Sequence, residues 1–213
     1  MSKDKWESAY LMDELSSCLP VEPSFRKRAL LVLGCADQSR IINRELQSAF
    51  TRLEEAINCS MKRFECEDWE SRMFSLKLSA IRDQNFEVAA HARMLQMAFS
   101  PRPDFRTVNL HFETHESDEK RHDEKVNQRV CFLLRDIFSN PFRPVTLDPR
   151  WLSSTVRDLA QVIYDARVFD RMPILGDALL DAGCDSDEII KHCQGPGPHV
   201  RGSWVVDLLT GRK

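Results

Sequence analysis

Four residues near the end of the chain, Cys184, His192, Cys193 and His199, are of the types that bind zinc. Structural zinc sites take four thiolate or imidazole ligands in a tetrahedral shell. These four fall within sixteen positions, bounded by the tight-turn residues of GPGPHVRG. Their spacing lacks both a C-x-x-C knuckle and an H-x-x-x-H pair, and adjacent His192 and Cys193 would leave a helix in different directions. The alternative is architectural: Cys184 and Cys193 pack in a core, and His199 hydrogen-bonds across the Gly-Pro turn. A second group, His111, His115 and His122 among Glu113, Glu116, Asp118 and Asp123, resembles a divalent-metal site in type. It carries no H-E-x-x-H, and the plainer reading is a solvated charged segment.

A third constellation is cationic and aromatic. Arg201 lies between two turns beside Trp204, and Arg143 sits between Pro141 and Pro144. A guanidinium beside an aromatic ring can bind a carboxylate, a phosphate or another chain. It can also hold the backbone carbonyls of the GPGPHVRG turn. His199, Arg201, Trp204 and Arg143 are the candidate binding residues, because loops carry function disproportionately. Catalytic and nucleotide signatures are missing. G-x-G-x-x-G, G-x-x-x-x-G-K-[ST] and G-x-S-x-G do not occur. The paired carboxylates lie in polar helical stretches, where nothing would raise a pKa for acid catalysis.

The segments NPFRPV, AQVIYDARVFDRMPILGDALLDAGCDSDEIIKHC and GPGPHVRGSWVVDLLTG closely resemble the C-terminal module of a large family of uncharacterised planctomycete proteins. The resemblance covers Leu134 to Gly211. Phe25, Arg26, Lys27, Arg28 and Leu30, followed by Gly34-Cys35, resemble an N-terminal segment of the same family more distantly. The similar tail usually reads GPHVRGCWVVDLLLG, so Ser203 stands here where a Cys is usual, which counts against a role needing a thiol there. The resemblance implies a bacterial lineage and no mechanism.

Composition narrows the class. The 213 residues include 30 basic and 33 acidic side chains, a net charge of -3 that sets up no general field toward nucleic acid or an anionic membrane. Seven cysteines without a C-x-x-C pair, an N-terminus (MSKDKWESAY) without a signal-peptide core and no membrane-length apolar run point to a cytoplasmic protein with reduced thiols.

The elements expected to position these residues are helices. Residues 3 to 17 carry Trp6, Tyr10, Leu11 and Leu15 at helical spacing, ahead of the breakers Pro20 and Pro23. Ser24 caps a helix with Phe25, Ala29, Leu30 and Leu33, ended by Gly34, and Arg26-Lys27-Arg28 forms its solvated face. Ile42, Leu46, Ala49, Phe50, Leu53, Ile57, Met61 and Phe64 predict one long helix over 38–65. Further helices are predicted at 68–81, 84–99, 118–138 and from Ser154 to Arg167. Another opens at Asp170, holds Pro173 in its first turn and ends at Gly183. Asp185 and Glu188 have capping-box spacing, and Trp204 to Leu209 forms a short helix or a buried strand. The stretch 101–117 loses periodicity at Pro101 and Pro103, with a short strand over 106–112 at most.

The expected architecture is all-α: a helical bundle over 1–100, a linker or exposed loop over 101–117, and a compact, loop-rich helical module over 118–213. The expected function is a non-catalytic intracellular interaction module that binds a protein partner or itself, without a cofactor. The alternative is a small zinc-binding protein using the C-terminal Cys and His residues. A nucleic-acid-associated regulator is the weaker third reading.

Overall fold

The computed structural model describes residue 6 and residues 24–35, 43–57, 63–100, 119–197 and 199–212. Among these residues the protein is all-α, with nine α-helices, two single turns of 3-10 helix and no strand. No described helix is long and apolar enough to cross a membrane. Apart from Trp6, the helix expected over 3–17 lies outside the described residues, as do the weak strand over 106–112 and the side chains of His111, His115 and His122.

The chain divides into two compact units, Ala9–Cys131 and Met1–Ser8 with Phe132–Lys213. The division falls inside a continuous helix, whereas the expected linker at 101–117 lies outside the described residues. A break in hydrophobic periodicity marks where a helix stops. It does not reveal where contacts change partners.

The N-terminal unit contains α1 (Phe25–Cys35), α2 (Arg44–Ala56), α3 (Arg63–Arg82), α4 (Phe86–Phe99) and the first part of α5 (Glu119–Ile137). The long helix expected over 38–65 is two helices. Asn43 starts α2, its side chain accepting hydrogen bonds from the backbone N–H groups of Glu45 and Leu46, each at 3.0 Å. Helix α2 ends at Ala56, and a new helix begins at Arg63. An apolar stripe in register across both segments hid the interruption, because periodicity reports the buried face and not backbone continuity. Replacing Asn43 with Ala removes this cap, with an expected loss of about 1 kcal/mol in urea unfolding.

Helix α4 folds back on α3 through Asp83–Asn85, where Gln84 takes a left-handed conformation (φ 56°) and the Asn85 side chain caps α4 through the Val88 N–H. Helix α1 packs on α4 and α2. Leu46, Leu53, Met73, Leu95 and Phe99 are fully buried, and Trp69 stacks on Phe99 with ring centroids 5.7 Å apart. The expected solvated Arg26-Lys27-Arg28 face needs correction. Arg28 is buried and donates from its guanidinium to the backbone carbonyls of Ala98 and Ser100. A cation there satisfies carbonyls left open at the end of α4 and suits the negative end of the helix dipole.

The C-terminal unit holds the end of α5, then α6 (Ser154–Ala166), α7 (Met172–Asp181), α8 (Asp187–Gln194) and α9 (Trp204–Thr210). Ser153 caps α6 by accepting from the Val156 N–H. Pro173 lies in the first turn of α7, and Gly183 (φ 79°) follows its last turn as expected. The segment from Trp204 is a helix, stopped by Gly211 in the left-handed region (φ 69°). The capping box expected from Asp185 and Glu188 does not form. Ser186 precedes the first turn of α8 without a side-chain cap, and Glu188 instead pairs with Arg143. Val156, Ile163, Met172, Leu175, Leu179, Ile189, Cys193, Val205 and Val206 build one apolar core that α6 to α9 enclose.

Candidate functional site

Asp136 organises the polar centre of the C-terminal unit. It lies on the last full turn of α5, three residues after buried Leu133 and beside buried Ile137. That spacing brings a carboxylate to the edge of the apolar stripe, and the residue is 1% exposed. A carboxylate at such depth requires hydrogen-bond donors.

Three groups supply them. His199 Nδ1 lies 2.6 Å from Asp136 Oδ1, and His192 Nε2 lies 3.1 Å from the same oxygen. The backbone N–H of Val200 donates to Oδ2 at 2.8 Å. His192 comes from the last turn of α8, while His199 and Val200 come from the loop between α8 and α9. Gly202, with φ 98°, turns the loop shortly before α9 begins at Trp204. Ser203 Oγ lies 2.9 Å from His192 Nε2, and the indole Nε1–H of Trp204 donates to His192 Nδ1 at 2.9 Å.

The indole settles the protonation pattern. Tryptophan has a donor and no acceptor, so His192 Nδ1 must present a lone pair. Neutral His192 then carries its proton on Nε2, facing Asp136 and Ser203. Burial pushes the His192 imidazole below its ordinary value, against the opposing pull of Asp136. Burial alone would raise the Asp136 carboxyl, but hydrogen bonds from His192 and His199 hold it below the usual carboxylate range. The centre is therefore a carboxylate held by three donors, with one imidazole fixed as a neutral tautomer.

Asp136, His192 and His199 bring metal-ligating atoms within 4.8 Å of one another. Their detailed geometry fits hydrogen bonding and does not fit a metal. The 2.6 Å contact is a charge-assisted hydrogen bond, shorter than the roughly 3.3 Å edge of a tetrahedral zinc shell with bonds of about 2.0–2.1 Å. The outer nitrogens also face the wrong way. A ligating histidine donates its other N–H to an acceptor. His192 Nδ1 meets the Trp204 donor, and His199 Nε2 is buried without a hydrogen-bond partner.

Ser203, His192 and Asp136 likewise have the composition of a nucleophilic triad without its geometry. A relay needs the acid and the nucleophile on opposite imidazole nitrogens. Here both approach Nε2, which carries a proton, and Ser203 is fully buried.

The zinc set expected from the sequence is thus only half assembled: His192 and His199 meet, with ring centroids 4.8 Å apart. Cys184 and Cys193 belong to the apolar core instead, and neither joins the Asp136 group. Burial pushes the Cys193 thiol up to about 12, leaving it an inert small hydrophobe. The binding set also separates. His199 and Trp204 join the Asp136 network, and Arg143 pairs with Glu188. Among the described residues no hydrogen bond joins Arg201 to the carbonyls of its turn. Its Nε is buried without a hydrogen-bond partner, and its guanidinium lies over the Tyr164 ring.

Sequence reasoning missed Asp136 and Ser203. An acid at the edge of the α5 stripe was a visible signal for Asp136. Ser203 had none in this chain alone, because its role depends on where α8 places His192. Compared with known protein families, curated proteins and solved structures, the chain matches none.

Proposed function

We propose that the chain is a non-catalytic helical interaction module, and that its N-terminal unit pairs with a second copy through the outer face of α3. The carrying observation is the line Phe74, Leu78 and Ile81, spaced four and three residues apart and 44%, 51% and 49% exposed. Single exposed apolar residues are ordinary, but three in helical register form a continuous patch. An adjoining face of α3 already buries Met73 and Ala80.

Charge along α3 favours a second copy over an unrelated groove. Asp68 and Glu70 precede the stripe, whereas Lys77 and Arg82 accompany and follow it. Antiparallel pairing of two identical helices sets the acidic half of each against the basic half of the other, as a two-fold interface requires. The ammonium of Lys77 lies 4.6 Å from the Phe74 ring centroid, so its charge sits at the apolar rim. The self-contained polar network of the C-terminal unit accords with a binding role in place of a catalytic one.

Sedimentation velocity tests the reading. The wild-type chain is expected to show a concentration-dependent monomer–dimer equilibrium. Leu78→Glu is expected to shift it to monomer while changing unfolding stability by no more than about 0.5 kcal/mol, as for an exposed site. A wild-type chain that remains monomeric at high micromolar concentration would falsify the reading.

A further inference from the structure

Lys77 stands three residues after Phe74 on α3, a spacing that brings its side chain beside the Phe74 ring. The ammonium nitrogen lies 4.6 Å from the ring centroid. The same nitrogen donates to the side-chain carbonyl of Gln96, on the neighbouring helix α4, at 3.1 Å. Phe74 is exposed and Lys77 is half-buried, so the amine stands at the rim of an open face.

These surroundings support a positive charge poorly. Among the described residues no carboxylate pairs with Lys77. Its partners are one neutral carbonyl and one aromatic ring. The charged group that α4 brings toward it is a second cation, Arg93. Burial, with the Arg93 guanidinium adding to it, holds the Lys77 ammonium below its ordinary 10.5. Partial loss of water beside another cation is a recognised means of turning a lysine into a nucleophile. Lys191 is placed differently: it is exposed and pairs with Asp187 at 3.3 Å.

We propose that Lys77, held between the Phe74 ring and the Gln96 carbonyl, is a modification site that accepts a short acyl group from an activated donor, an acyl phosphate or an acyl thioester. The lone pair of Nζ attacks the acyl carbonyl carbon, and a C–N bond forms. The C–O bond to phosphate, or the C–S bond to the thiol, breaks, and the leaving group takes the bonding pair. The nitrogen gives one proton to solvent, and nothing is oxidised or reduced. The amide product keeps one N–H, enough to retain the bond to Gln96, and loses the charge that burial and Arg93 oppose. The site stands on contacts between α3 and α4 and does not rest on pairing through α3.

The test treats the dilute full chain with acetyl phosphate or acetyl-coenzyme A and follows acetylation of each lysine by peptide mass spectrometry. In the folded chain Lys77 is expected to react roughly threefold or more faster than Lys191. In denaturing urea, where both amines are solvated, that preference is expected to vanish. A larger ratio of Lys77 to Lys191 labelling with acetyl phosphate assigns the donor to acyl phosphates, and a larger ratio with acetyl-coenzyme A assigns it to thioesters. Arg93→Gln is expected to slow Lys77 about twofold or more while leaving Lys191 unchanged. If that variant does not fold, the comparison of folded chain with urea still decides. A Lys77 rate no greater than that of Lys191 with both donors, or a preference that persists in urea, overturns the proposal.

Discussion

Asp136→Asn is expected to destabilise the C-terminal unit by about 1–3 kcal/mol, the usual cost of leaving a buried hydrogen-bonding group without its partner. The carboxylate accepts from His199, His192 and the Val200 N–H through its two oxygens. Asparagine retains one of those oxygens and replaces the other with an NH2 donor. Placed toward Val200, that donor opposes a backbone N–H; placed toward the imidazoles, it opposes their protons. No flip of the amide satisfies all three groups, and the site is too buried for water to relieve the conflict cheaply. Urea unfolding in a Trp69→Phe background checks this result, because the remaining tryptophans, Trp6, Trp151 and Trp204, all belong to the C-terminal unit. A loss below about 1 kcal/mol would show that the network contributes little, since that is the scale of one ordinary hydrogen bond.

The second large effect is loss of stability in mild acid. In the folded chain His192 titrates below its ordinary 6.5, because burial disfavours the imidazolium more than Asp136 favours it. A proton added at Nδ1 would also face the indole N–H of Trp204. As pH falls through 6.5, the unfolded chain binds a proton that the folded chain refuses, so stability falls. The slope approaches about 1.4 kcal/mol per pH unit for one such group, until the folded pKa is reached. The stabilising contribution of Asp136 persists above its ordinary 3.8 and is lost only as pH drops through its lowered folded value. The C-terminal unit should therefore show a stability plateau above about pH 7 and a decline beginning near pH 6.5. His192→Gln is expected to remove that decline, since it places a neutral amide donor near the Nε2 position. The measurement is urea unfolding at half-unit pH steps from 4 to 8. An identical slope in the Gln variant would mean that another group sets the acid response.

Much of the helical framework was legible because its causes are local. The stripe of Val130, Leu133, Leu134 and Ile137, the stop at Gly211 and the tolerated Pro173 each follow from side-chain period or backbone restriction. The errors arose where a local signal had more than one outcome. The 38–65 stripe was compatible with one helix or two. Glu188 had capping-box spacing, but Arg143, 45 residues earlier, offered an oppositely charged partner. Arg28 looked solvated within a basic triplet until the end of α4 offered its carbonyls.

The amino-acid order alone determined the all-α character, most helix ends and the C-terminal run as the place where polar chemistry gathers. Those properties depend on backbone preferences and on which face of each helix is apolar. Tertiary structure decided that His192 and His199 meet Asp136 in place of the two thiols, that Trp204 sets the imidazole tautomer, and that Arg201 lies over the Tyr164 ring. Each outcome depends on the relative placement of α5, α6, α8 and α9 within the C-terminal unit. Hydrogen-bond partners are chosen over a few ångströms in space, and residue types at a given spacing along the chain do not encode that distance.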